Sequence, residues 1–490
     1  MPPISAFLGL VIGSLGIWIV GAMLLRVLRP APADLSRRER LVLAFGLGNG
    51  AVVLEMFAFI VGNVPLMRWS LGIPWIVLGG AILYGCWRQG RFRRLRELFD
   101  LVSARPTAWY ARARNSLGWL EGCVGVAVTL AVVDLLVRVL TSPFLYGDAI
   151  WFWTPKAKIL YEHRLVPLTG FRDLGEFFHA DYPLFVPLTE AWLFIWMGQT
   201  NEYVMKLLFP LYAVFLILGL WAFAARLCGR RAGMIAAGLL ATTPIVLWQG
   251  TAGMADLPLA FYFLLATAML LRWFAAVQRP FLVLSAVFVG LTGWIKNEGL
   301  SFIVLTGCVV AAHLGTRRES GTVGRAREAL LFGGIAAGVV VPSLVMRYAL
   351  GVESDLGVPA VASLLPLARE RLWPITTALA GELFSPSRVA RTWNVAWYLL
   401  TGVVIVHGRA LWRSLLRYPA LLIVGQIAVY LGVYIITPHD LGWHVGTSLD
   451  RLLLHLYPLA LLLIGWGIAK SSGESAAADG RVRDPRTRNP

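Results

Sequence analysis

Carboxylates, cations and histidines break into an otherwise apolar chain at five places, each with residue types suited to proton transfer or anion binding. In PFLYGDAIWFWTPKAKILYEH, Asp148 follows directly on an apolar run. A carboxylate at that surface is placed to take the proton of an acceptor hydroxyl. Gly-Asp before an apolar run also caps helices readily, and spacing alone does not choose. In HADYPLFVPLTEAWLFIW, His179 and Asp181 stand ahead of two prolines that delay a regular helix, so a polar site or an interfacial turn with an aromatic anchor is expected there. GTAGMADLPLAFYFLL puts Asp256 at the mouth of an apolar run, with Pro258 in the first turn. Taken alone, that carboxylate serves the helix dipole. In GWIKNEGLSFIVL, Lys296, Asn297 and Glu298 interrupt apolar sequence that extends from 281 to 314. Charges at membrane depth are costly unless paired or facing water, which points to a site, with a tight hairpin as the competing explanation. Finally, HDLGWHVGTSLDRLLLHLYPLALLL gathers His439, Asp440, His444, Asp450, Arg451 and His455. Arg451 is suited to a phosphate at headgroup level. Snorkelling, or pairing with Asp450, is its plain alternative.

The elements that must carry these residues are membrane helices. The chain has 490 residues, 58% hydrophobic and 14% charged, with mean hydropathy +0.69. Soluble domains carry about 25% charged residues, so a soluble globular protein is excluded. Apolar runs lie near 4–25, 41–63, 70–87, 118–141, 184–198, 204–225, 232–249, 255–277, 281–295, 299–314, 329–350, 394–407, 419–437 and 452–469. They are too long and continuous for the alternating ten-residue strands of an outer-membrane barrel. The expected fold is therefore all-α: a polytopic transmembrane helical bundle with about 13 spans and an outer-face loop region carrying short interfacial helices. The run at 184–198 is short for a crossing and is read as re-entrant or interfacial. The first run lacks a basic n-region and a cleavage site, and is expected to stay as a membrane helix.

A net charge of +17 suggests nucleic acid in a soluble protein, but here the basic residues punctuate the apolar runs and read as topology signals. The segments holding Arg26 to Arg40, Arg88 to Arg114, Arg226 to Arg231, Arg272 to Arg279, Arg317 to Arg327 and Arg409 to Arg417 are expected on the cytoplasmic side. That leaves 142–183, the turn near Asp256, the link at Lys296, 351–393 and 438–451 outside. The domain reading is an N-terminal three-span unit with its basic linker at 1–117, a catalytic membrane module at 118–470 and a disordered cytoplasmic tail at 471–490. Cys86, Cys123, Cys228 and Cys308 show no CxxC spacing and are read as small buried packing residues. Asp134 and Arg138 have the i,i+4 spacing of a structural ion pair. No GxSxG, HExxH or Walker A sequence occurs, which leaves hydrolase, zincin and P-loop readings without support.

The order of these features resembles a known family. An acid just past a span (Asp148), a Tyr-Pro-Leu re-entry (Tyr182, Pro183, Leu184), an Ala-Asp-x-Pro turn (Ala255, Asp256, Pro258), a Lys-x-Glu-Gly turn (Lys296, Glu298, Gly299) and an Arg before a Pro-containing last span (Arg451, Pro458) are similar to the GT-C superfamily of integral membrane glycosyltransferases. The likeness covers residues 118–470, and is strongest to bacterial relatives of protein O-mannosyltransferases and of the lipid A aminoarabinose transferase. It implies a polyprenyl-phosphate-linked sugar donor, a lipid, polysaccharide or protein acceptor, an inverting single displacement, and an active site on the extracytoplasmic face of the cytoplasmic membrane. It further implies Asp148 as catalytic base, Asp256 near acceptor or metal with His179 and Asp181 in the same vicinity, and Lys296 and Arg451 on the donor phosphate. Glu298 and His444 are supporting residues. No cofactor is fixed, a divalent metal is left open, and nucleic acid is not a partner. Three spans ahead of the module, and no evident large soluble domain at its C-terminal end, depart from the usual layout and leave the acceptor open. The rival class is a transporter or flippase of lipid-linked glycans, which needs the same phosphate contacts without a base.

Overall fold

The structure, a computed structural model, describes residues 4–28, 35–88, 118–144, 147–165, 179, 181–317, 321–351 and 361–473. Most of the linker from Arg88 to Arg114, Asp173 and Glu176 of the expected outer loop, and nearly all of the expected tail lie outside the described residues. Among the described residues every regular element is helical. Among the described residues ten helices are long and apolar enough to cross a membrane, and twelve if each of two sharply bent pairs counts as one span, against the about 13 expected. The protein is a multi-pass membrane protein.

The chain packs as two compact units. The first comprises residues 1–180, 184–215 and 250–254. It contains α1 (Ile4–Leu28), α2 (Arg37–Val61), α3 (Arg68–Arg88), α4 (Trp119–Thr141), α5 (Thr154–His163) and α6 (Phe185–Met197). The packing boundary thus does not fall at the basic linker, since α4, α5 and α6 belong with α1–α3. At 13 residues and 1.5 Å per residue, α6 is about 20 Å long, short of the roughly 30 Å hydrocarbon core, as its apolar run suggests. It is nevertheless almost wholly buried. Trp192 Nε1 donates to the Gly13 carbonyl (3.0 Å) and Thr189 to Asn49 Oδ1 (2.9 Å), so α1 and α2 hold it. The ion pair of Asp134 and Arg138 forms at 2.8 Å. Of the cysteines, Cys86 and Cys228 are buried as expected, whereas Cys123 and Cys308 are exposed. Their helices, α4 and the later Glu298–Thr316, are largely unburied within the chain, so apolar outward faces need not be covered by protein.

α7 (Leu208–Cys228) runs from the first unit into the second, which comprises 181–183, 216–249 and 255–490. The run expected as one span at 232–249 is broken: α8 (Arg230–Ala241) and α9 (Pro244–Ala252) meet at 61°. Pro244 has no N–H to continue the helix. The Leu240 carbonyl, four residues before Pro244, accepts the Thr243 N–H (3.2 Å), and Asn394 Nδ2 donates to the Leu239 carbonyl (2.9 Å) and to Thr243 Oγ1 (2.8 Å). There follow α10 (Asp256–Ala276), α11 (Arg279–Ile295), α12 (Glu298–Thr316), α13 (Thr322–Ala349), α14 (Val361–Phe384), α15 (Ala396–Arg413), α16 (Arg417–Ile436) and α17 (Leu441–Ser471). α14 occupies much of the stretch 351–393, which the apolar runs leave as an outer connection. Its 24 residues include Pro366 and Pro374, and Arg369, Glu370 and Arg371 keep it out of the apolar-run count. Arg371 Nη1 donates to the Ile435 and Thr437 carbonyls (3.1 and 2.8 Å), closing the C-terminal end of α16.

What brings the site together is the turn between α11 and α12. Lys296 and Asn297 separate the two helices, and Thr292 Oγ1 donates to the Gly299 carbonyl (3.1 Å) across it. A Cβ at Gly299 would lie 2.0 Å from the Thr292 carbonyl oxygen, so only glycine lets the hairpin close this tightly. Gly299→Ala is expected to cost about 1–3 kcal/mol through that overlap. Gly307→Ala, on the same helix with nothing within 4 Å of its Cβ, should be neutral or slightly stabilising. Thermal melts of the two purified variants check this, and equal melting temperatures would contradict it.

Candidate functional site

The centre of the second unit's polar end is Asp256, the first residue of α10 and fully buried. Its carboxylate is not spent on the helix terminus. Oδ1 accepts from Lys296 Nζ (2.7 Å) and His455 Nε2 (3.0 Å), and Oδ2 from Arg451 Nε (3.0 Å). Lys296 Nζ also meets Glu298 Oε1 at 2.9 Å. Burial alone would lower the Lys296 ammonium, but the Asp256 and Glu298 carboxylates outweigh it and hold the group above the usual lysine range. Arg451 and His455 are four residues apart on α17 and so share a face one turn apart. On the other side of the ring, Tyr430 OH lies 3.1 Å from His455 Nδ1. With Nε2 facing a carboxylate, the matching assignment is Nε2–H donating to Asp256 and Tyr430 O–H donating to Nδ1.

A second polar layer surrounds this group. Asn297 accepts from Arg347 Nη1 at Oδ1 (2.8 Å) and donates from Nδ2 to Asp181 Oδ2 (3.4 Å). Gln426 donates to the Glu298 carbonyl (3.1 Å) and to Ser301 Oγ (2.6 Å). Gln426, Tyr430 and Tyr434 recur every four residues on α16, which gives that helix one polar stripe toward α12 and α17. Further along it, Tyr434 OH meets Ser448 Oγ at 2.8 Å. His444 Nδ1 lies 2.8 Å from Thr437 Oγ1, so this supporting residue braces the entry to α17 and does not touch Asp256.

Asp256, Lys296, Glu298 and Arg451 are therefore brought together, with Asp181 one hydrogen bond away through Asn297. Asp256 serves more than a helix dipole: Oδ2 accepts from the Arg451 guanidinium, while Asp450 Oδ1 accepts the Arg451 backbone N–H (2.8 Å). The Lys-Asn-Glu-Gly segment is both a tight hairpin and part of the polar group. Asp148 and His179 belong to the first unit. Asp148 sits half-buried at the head of a π turn, Ala149–Trp153. That turn is positioned by Gly253, at φ +77°, where a Cβ would lie 2.4 Å from Phe144 and 2.8 Å from Ala149. His179, at φ +44°, offers its carbonyl to the buried Lys156 Nζ (2.6 Å), and its ring lies 4.4 Å from that of Phe152. Sequence reasoning named His455 only as a neighbour of Arg451, although its i+4 spacing carried the signal. Arg347, near the end of the 329–350 run, and Tyr430, inside the 419–437 run, lie within apolar sequence that gives no local sign of their partners.

Among the described residues no three His, Cys, Asp or Glu side chains are grouped to hold a metal ion. Asp256 in particular does not fit one, because both its oxygens already face cationic groups. No protein-family model and no curated protein matches the chain. Among solved structures it is similar to the oligosaccharyltransferase AglB of Archaeoglobus fulgidus in complex with an inhibitory peptide and a dolichol-phosphate, at 10% identity over 73% of this chain and 51% of that one, TM-score 0.40. The same organism's oligosaccharyltransferase in complex with Zn and sulfate matches at 13% identity over 71% of this chain and 49% of that one, TM-score 0.38. Tethered by a disulfide to an acceptor peptide containing the NVT sequon, it matches at 11%, 72% and 50%, TM-score 0.40. The chain spans about half the length of these structures.

Removing the central carboxylate leaves buried cations without a counterion. Asp256→Asn is expected to destabilise the protein by about 3–5 kcal/mol. With Arg451→Gln already in place the same change should cost less, with a coupling of about 0.5–3 kcal/mol. A double-mutant cycle on denaturant unfolding of the second unit checks this, and strict additivity would contradict it.

Proposed function

We propose that the protein is a GT-C-type glycosyltransferase that moves a sugar from a polyprenyl-phosphate donor to an acceptor hydroxyl on the extracytoplasmic face of the cytoplasmic membrane. The observation that carries this reading is the meeting of Lys296, from the α11–α12 turn, and Arg451, from α17, on one buried carboxylate. Membrane proteins keep such charges where they face a charged ligand or a polar path. Lys296 has three N–H donors, of which two are in ion pairs with Asp256 and Glu298, which leaves one for a phosphate oxygen. Asp256 helps keep the Lys296 ammonium charged and aims both cations before the ligand arrives, which is what electrostatic stabilisation of a leaving group requires.

In the proposed reaction the acceptor oxygen attacks the anomeric carbon as the bond from that carbon to the phosphate oxygen breaks. The hydroxyl proton passes to Asp148, and the charge on the departing polyprenyl phosphate is met by Lys296 and Arg451. No step is routed through a metal. His179 and Asp181 are assigned to the acceptor side, with Glu298 holding Lys296 and His444 bracing α17.

Asp148→Asn and Arg451→Gln are each expected to lower transfer by about 10²–10⁴-fold, the range for a lost general base or a lost electrostatic contact. The measurement is transfer from a polyprenyl-phosphate sugar by purified protein in detergent, where no two compartments exist. Unchanged rates in Asp148→Asn would remove the assigned base. Absence of turnover in the wild type is what a flippase would give.

A further inference from the structure

An open groove in the second unit lies outside the Asp256 group. Its walls are the C-terminal part of α14 with the short turn after it, and the first two turns of α17. Its volume of about 470 Å³ is within the roughly 300–1,000 Å³ of ligand sites. Gly381 and Glu382 line one wall, Ser385 and Arg388 the turn, and Gly442 and Gly446 the other wall. Glu382 is 5% exposed and held in place: Oε1 accepts from Trp393 Nε1 (2.9 Å) and Oε2 lies 3.1 Å from Arg388 Nε. The groove ends at Leu449, next in sequence to Asp450 and Arg451.

We propose that this groove is a saccharide subsite that receives the sugar portion of the acceptor, an assignment of substrate class that rests on the transfer reading above. A carboxylate whose oxygens each keep a second lone pair, a guanidinium with donors beyond Nε and two serine hydroxyls form a set that reads a pattern of sugar hydroxyls. Leu441, Leu449 and Pro374 provide the apolar surface that a pyranose C–H face covers. The glycines allow close approach. A Cβ at Gly381 or Gly446 meets nothing within 4 Å, so the space beside them is groove and not packing. A polyprenyl tail is the poorer fit, because its carbons would strip water from the Glu382–Arg388 pair without replacing its hydrogen bonds.

The test uses the full chain in lipid nanodiscs, with neutral hexasaccharides of glucose, mannose and galactose as probes, and a Ser/Thr-rich hexapeptide beside them, followed by saturation-transfer NMR. At least one hexasaccharide is expected to bind. Gly446→Leu and Gly381→Leu, from opposite walls, should each abolish that binding while melting as the wild type does. Glu382→Gln should weaken it about ten-fold or more, the effect of losing a charge-assisted hydrogen bond to the ligand. No saccharide bound to the wild type, binding indifferent to both leucines, or Gly446-sensitive binding of the peptide in place of the sugars would overturn the proposal. Transfer is assayed in parallel. Sugar binding that Gly446→Leu abolishes, in a protein that performs no transfer, supports the groove and removes only the activity, whereas transfer without any such binding removes the groove alone.

Discussion

A single carboxylate determines how the second unit is put together. Asp256 is fully buried at the start of α10, and a buried charge without partners is far more costly than any one hydrogen bond returns. Its partners come from the α11–α12 turn and from two successive turns of α17. Satisfying that one group therefore fixes the ends of three chain segments against each other. It also explains why Gly299 must lack a side chain, since the tight hairpin is what delivers Lys296.

The same arrangement sets the charge state of the cations. Lys296 stays an ammonium because two carboxylates outweigh its burial. His455 is oriented from both sides, by Asp256 at Nε2 and by Tyr430 at Nδ1, so the ring is fixed in direction. Outside this core, the Arg347, Asn297 and Asp181 chain extends the polar region along the same helix ends. A membrane protein with no ligand for such a region would gain by replacing it with packed apolar side chains, as replacements of buried ion pairs show. Its presence is the physical reason for placing chemistry there.

Much of this was legible in the residues. Long uninterrupted apolar runs gave the helices directly, because in lipid the backbone must satisfy itself and few alternatives exist. Asp256, Lys296 and Arg451 stood out because charge is scarce in such a chain. What escaped were features set by tertiary context. The break at Pro244 is stabilised by Asn394, a partner some 150 positions away that no local pattern announces. α14 falls within an outer connection because Arg369, Glu370, Arg371 and two prolines mask its helical pattern. Arg347 and Tyr430 are single residues whose meaning depends on which helices lie beside them.

The central claim is that the Asp256 group holds its cations ready for a phosphate. The most direct measurement is a ³¹P NMR titration of the purified chain with a short-chain prenyl phosphate, alongside Lys296→Ala and Arg451→Ala. A saturable shift in the wild type, weakened by about ten-fold or more in either variant, is the predicted result. A wild-type titration that neither variant alters would contradict it.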